Sequence, residues 1–114
     1  MLRIEKTKEE NKDILHLIGE VDASNSDLLD QSIQEALHQG ATFLLIDGQE
    51  LGYISSAGLG VFMSYLDDFS EKGIRFAIFG LNEQVGEVFK ILCLDRLISI
   101  VPDKSTAIAS QHES

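Results

Sequence analysis

In "LRIEKT", residues 2–7, Leu2 and Ile4 alternate with charged neighbours, the period-two pattern of a strand with one face exposed. The polar stretch "EENKD" then turns the chain and "ILHLIGEV" reads as a second strand, so residues 2–21 predict an antiparallel hairpin. After that the period changes. Ser24, with Asp27 three residues on, forms a capping-box-like pair, and Leu29, Ile33, Ala36 and Leu37 recur on one face, predicting a helix over Ser24–Gln39 that Gly40 ends. "TFLLID" is a continuous apolar run, as expected of a central strand covered on both faces. A second helix, Ser56–Lys72, sets Leu59, Phe62, Met63, Leu66 and Phe69 at helical spacing against Ser64, Asp67, Asp68 and Glu71, and Gly73 stops it. "IRFAIF" is another strand. Asn82 caps a third helix, Asn82–Leu92, whose stripe is Val85, Val88, Phe89 and Leu92. "LISIV" is a last strand, Pro102 and Asp103 make a turn, "KSTAIASQ" forms a short final helix and the tail "HES" frays.

The order β-β-α-β-α-β-α-β-α contains no linker, repeat or low-complexity segment, so residues 1–114 read as a single domain. Its class is α/β: a mixed β-sheet with helices packed on it, opening with a β-hairpin and then alternating helix and strand. Each helical stripe is too wide for a free surface helix.

Charge narrows the partners. With 19 acidic against 9 basic side chains, the net charge of -10 repels a phosphate backbone and an anionic membrane surface, so nucleic acid is not expected as a partner and a protein with a basic patch is. No apolar run approaches a membrane span, which argues against direct membrane insertion. The first dozen residues hold no apolar stretch of signal-peptide type, and the lone Cys93 fits a reducing compartment, so a cytoplasmic location is expected.

Catalytic patterns fail residue by residue. A nucleophile elbow needs Gly-x-Ser-x-Gly, but Ser56 has Ile54 at the first glycine position, and His16, His38 and His112 have no evident reason to converge on it. The histidines and Cys93 lack metal-ligand spacing, and Cys93 between Leu92 and Leu94 reads as a small core residue. Gly58 and Gly60 fit neither phosphate-loop spacing. They read instead as small residues that let a first helical turn lie close against the sheet or a docking partner. No enzyme, metal or cofactor is expected. What remains is "YISSAGLGVF", residues 53–62, where Ser55 or Ser56 caps the second helix. The free N–H groups and positive dipole end of such a terminus would also stabilise a phosphate placed there.

Over nearly the whole chain these residues resemble the STAS domain family, and within it the bacterial anti-sigma factor antagonists. The resemblance is carried by "GEVD" (Gly19–Asp22) after the second strand, by "TFLLID", and above all by "LGYISSAGLGVF". Family members show Asp-Ser-[Ser/Thr]-Gly-Leu-Gly at a helix start, the first serine being phosphorylated. Aligned on Gly58-Leu59-Gly60, the resemblance implies Ser56 as phosphoacceptor and a partner-binding surface of Glu20, Asp22, Ser55, Ser56, Ala57, Gly58, Leu59 and Gly60. It further implies partner switching. The unphosphorylated protein binds an anti-sigma factor that is also a GHKL-type serine kinase, phosphorylation releases it, and a metal-dependent serine phosphatase restores it.

Two residues depart from the pattern: Ser55 stands where many members have aspartate, and Ala57 has no hydroxyl. The Ser-Ser-Ala-Gly form also occurs in family members not switched by phosphorylation. The alternative is therefore a constitutive binding module, such as a lipid-transport ATPase subunit or a sensory-complex scaffold. A small-molecule-binding module is a third class, although no basic or aromatic cluster marks a pocket.

Overall fold

The structure, a computed structural model, describes residues 1–112. Strand β1 (Leu2–Glu9) pairs antiparallel with β2 (Lys12–Val21), from Leu2 opposite Gly19 to Glu9 opposite Lys12. The turn is tighter than the expected loop over "EENKD". Glu10 adopts a left-handed backbone, φ 56°, so Glu10 and Asn11 alone close the hairpin. Helix α1 (Ser26–His38) follows, then β3 (Phe43–Ile54), α2 (Ser56–Lys72), β4 (Arg75–Phe79), α3 (Glu83–Ile91), a 3-10 turn at Leu94–Arg96, β5 (Ser99–Val101) and α4 (Lys104–His112). Of the tail expected to fray, His112 ends α4, and Glu113 and Ser114 lie outside the described residues.

Among the described residues the strands form one sheet in chain order, β1-β2-β3-β4-β5, and every pairing after the hairpin is parallel. A sheet that grows in one direction through right-handed crossovers receives every crossover helix on the same face. Here α1, α2 and α3 share that face. Leu29, Ile33, Phe62, Tyr65, Phe69, Val85 and Phe89 pack with Leu15, Leu17, Leu44, Ile46, Phe76 and Ile78 of the strands. Strand residues of the opposite parity, Ile14, Phe43, Leu45, Ala77 and Phe79, form a second cluster under Ala107 and Ile108 of α4. Burial on both faces explains why "TFLLID" reads as a continuous apolar run, and why β4 is buried from Phe76 to Phe79.

Several local expectations are corrected. β3 does not stop near Asp47 but runs on to Ile54, following β2 across bulges between His16 and Ile18 and between Gly19 and Glu20. α1 does not begin at Ser24. Asn25 precedes the helix, and Ser24 instead donates its N–H (2.9 Å) and hydroxyl to the Asp22 carboxylate. In the α2 stripe Tyr65 takes the buried place expected of Met63, which is 46% exposed. Leu92 is also exposed, because α3 ends at Ile91 and position 92 has left the helical stripe. Cys93 is not a core residue: it is exposed, in a left-handed conformation (φ 59°) at the start of the 3-10 turn. Asn82 and Gly73 punctuate the helices as expected. The Asn82 side chain accepts the Val85 N–H at 2.8 Å, and Gly73 closes α2 at φ 67°.

Candidate functional site

The ends of β2 and β3 run side by side, with Glu20 opposite Tyr53 and Val21 opposite Ile54. The Ser55 N–H donates to the Val21 carbonyl at 2.9 Å, which ties the start of α2 to the end of β2 and sets Asp22 beside it. Ser55 has extended backbone (φ -88°, ψ 172°). Its Oγ accepts the Gly58 N–H at 3.4 Å, and its carbonyl accepts the Leu59 N–H at 3.0 Å. Ser55 is thus the cap, half-buried and engaged.

Ser56 is the first helical residue, and it is exposed. Its N–H and that of Ala57 belong to the first-turn donors that no helical carbonyl can reach. An anion on Ser56 Oγ would meet those donors and the positive end of the α2 dipole. It would also meet the negative charge of Glu20 and Asp22. The Asp22 carboxyl is held below the usual carboxylate range, first by the Ser24 hydroxyl and also by the N–H groups of Ser24 and Asn25. The Asp22–Asn25 loop is closed on itself: the Asn25 side-chain oxygen accepts the Asp22 N–H (2.9 Å) and its amide donates to the Glu20 carbonyl (3.0 Å).

The residues expected to form one partner surface divide into two groups. Glu20, Ser56 and Gly60 are exposed, with Asp22, Ser55 and Ala57 half-buried beside them. Gly58 and Leu59 are buried and face the sheet, so they position the helix without presenting a surface. A Cβ on Gly58 would lie 2.6 Å from Val21 Cγ1 and 2.8 Å from Ile54 Cγ1, whereas one on Gly60 would meet nothing within 4 Å. The two glycines therefore do different things: one lets α2 press against the strand ends, the other leaves its outer surface low. Two exposed apolar residues of this region were not singled out as site residues from the sequence, Tyr53 and Met63. Tyr53 stands opposite Glu20. Its exposure follows from the irregular end of β3, where buried Leu51 and Ile54 are three residues apart and a strict period of two fails.

None of this recruits His16 or His38. His16 is bound across the strands, Nδ1 to Asp47 Oδ2 at 2.7 Å and Nε2 to Thr7 Oγ1 at 2.8 Å. His38 is exposed on α1. Among the described residues no group of three or more His, Cys, Asp or Glu side chains is placed to hold a metal, and no helix is long and apolar enough to cross a membrane.

The STAS domain family model matches residues 3–107. The chain is similar to the anti-sigma-B factor antagonist of Listeria monocytogenes, 27% identical over 86 residues that span 75% of each chain. Its fold matches the crystal structure of an anti-sigma factor antagonist from Mycobacterium paratuberculosis, with a TM-score of 0.89 at 16% identity over 96% of this chain and 93% of that one. It also matches the Bacillus cell fate determinant SpoIIAA in its phosphorylated form, with a TM-score of 0.69 at 19% identity over 96% and 98% of the two chains. At such identities the structural likenesses establish the fold alone.

Proposed function

Because the chain belongs to the STAS domain family, we propose that it is an anti-sigma factor antagonist that works by partner switching. In this reading it is a binding protein with no catalysis of its own. Unphosphorylated, it docks on an anti-sigma factor of the GHKL serine-kinase type through the start of α2 and the Glu20–Asp22 strand end. The kinase transfers the γ-phosphoryl group of ATP to Ser56 Oγ, the complex separates, and a metal-dependent serine phosphatase restores the hydroxyl. The relatives named as anti-sigma-B factor antagonists support the role.

The observation that carries the reading is the division of labour between the paired serines. Ser55 uses its oxygen to cap α2, while Ser56, one residue on, is exposed at a helix N-terminus. A phosphate there costs the fold little, since unpaired amides and the dipole favour it. It costs the complex much more. A charge of about -1.5 to -2 would enter a contact that Glu20 and Asp22 already make negative, adding like-charge repulsion and desolvation.

Calorimetric titration against the kinase captured from native cells tests this. Ser56→Ala should bind as wild type does, Ser56→Asp should bind about tenfold more weakly, and the phosphorylated protein more weakly still. Equal affinities for all forms would remove the switch and leave a constitutive binding module. Phosphate mapped only to Ser55 would move the acceptor by one residue.

A further inference from the structure

A groove of about 710 Å³ lies between α3 and the outer edge of β5, lined by Glu83, Glu87 and Lys90 of α3, by Asp95, and by Ile100 and Val101 among others. It involves none of the residues of the Ser56 surface. In a parallel strand alternate residues send their N–H and C=O groups to opposite sides. The Val101 carbonyl accepts the Gly80 N–H at 3.2 Å, on the β4 side. Ile100, the preceding residue and one that lines the groove, therefore turns its N–H and C=O away from β4, toward the open edge of the sheet. Since β5 ends the sheet, no strand among the described residues pairs with them.

The charged lining of this edge is mostly acidic. Glu83, Glu87 and Asp95 are all exposed, and Lys90 is the one basic side chain among the lining residues. The segment that carries Asp95 also displays Ile91, Leu92 and Leu97 at 70%, 54% and 62% exposure. A second copy of a chain with net charge -10 would bring more carboxylates to an acidic groove. A cationic segment would not.

We propose that this groove docks an extended basic segment of a partner protein, which pairs with Ile100 as an added strand and sets its cationic side chains against Glu83, Glu87 and Asp95. Main-chain pairing at an open edge supplies affinity without demanding a particular sequence, and the acidic wall selects the charge. The surface is a second contact, independent of the one at α2.

The test uses the full chain and a fluorescein-labelled short peptide of alternating lysine and valine. Anisotropy should rise to saturation, and in nitrogen-15 correlation spectra the Ile100 amide should be among the most shifted. Reversing two exposed charges, Glu83→Lys with Glu87→Lys, should weaken binding about tenfold or more. N-methylating alternate residues of the peptide should weaken it comparably, because strand addition needs those donors, and Ser56→Asp should leave it unchanged. No saturable binding overturns the proposal. So does equal binding of the N-methylated peptide, indifference to the charge reversal, or shifts centred on α2. Self-association that competes with the peptide would give the groove to a second copy and overturn it as well.

Discussion

Replacing Gly58 by alanine places a Cβ 2.6 Å from Val21 Cγ1 and 2.8 Å from Ile54 Cγ1, with Ile54 Cδ1 at 3.2 Å. Carbon atoms are most comfortable at about 3.5–4.0 Å, so all three contacts are repulsive. The neighbours cannot swing clear. Val21 is 0% and Ile54 3% exposed, and both are β-branched with few usable rotamers. The remaining relief is for the first turn of α2 to lift from the strand ends. Overpacking of a filled core costs about 1–3 kcal/mol, and two contacts below 3 Å put this site in the upper half of that range. Alanine recovers about 0.5–1 kcal/mol over glycine inside a helix, leaving a net loss of about 1–2 kcal/mol. Gly60→Ala is the internal control. With nothing within 4 Å of its Cβ, it should keep the helix gain alone and stabilise by about 0.5–1 kcal/mol. Urea unfolding followed by circular dichroism, with a common slope, should move the two midpoints in opposite directions. A Gly58→Ala midpoint at or above wild type would refute the claim that α2 is pressed on Val21 and Ile54. The geometry of Ser56 relative to Asp22 would then need another cause.

Three further outcomes follow from the same contacts. Asn82→Ala removes both the cap on Val85 N–H and the 3.3 Å bond to the Leu51 carbonyl, and should cost about 1–2 kcal/mol by thermal or urea unfolding. Ser55→Ala should cost about 0.5–1 kcal/mol, at the low end for a cap because its contact is long, whereas Ser56→Ala should stay within about 0.5 kcal/mol of wild type. Burial, reinforced by the Asp30 carboxylate that accepts its hydroxyl, pushes Tyr65 up to about 12. Its contribution is therefore complete below the unfolded value of about 10 and is lost as pH rises toward 12. The urea midpoint of wild type should fall across that window more steeply than that of Tyr65→Phe.

Residues whose role is settled within a few neighbours were the legible ones. Asn82 before an apolar stripe and Gly73 after one mark helix ends because capping is a local hydrogen-bonding problem. The strands buried on both faces announce themselves by composition. Other features depend on residues far away in the chain. "GQELGY" looks like a loop, with two glycines and two polar residues, and becomes strand because β2 lies alongside with bulges that absorb the irregular spacing. Met63 and Tyr65 both suit a helix; the crossing of α2 over the sheet decides which one is covered. Cys93 has apolar neighbours but sits where the chain leaves α3, outside any packed layer. At the site, a serine pair at the start of α2 could be read in sequence. That Ser55 and not Ser56 would be the cap, and that Gly58 and Gly60 would face opposite ways, needed the orientation of α2 on the strand ends.

The coincidence of strand order with chain order bears on how the molecule is made. Each strand pairs with the one synthesised just before it, so the sheet can be laid down from one side as the chain leaves the ribosome, with no strand inserted between two others. The helical face can fill in step, because α1, α2 and α3 are each made between the strands they cover. The other face cannot. Phe43, Leu45, Ala77 and Phe79 have emerged by the end of β4, but their cover, α4, follows β5. At about 5–20 residues per second the growing chain carries that bare aromatic and aliphatic surface for on the order of seconds, and this is the interval in which a nascent-chain chaperone would find something to hold.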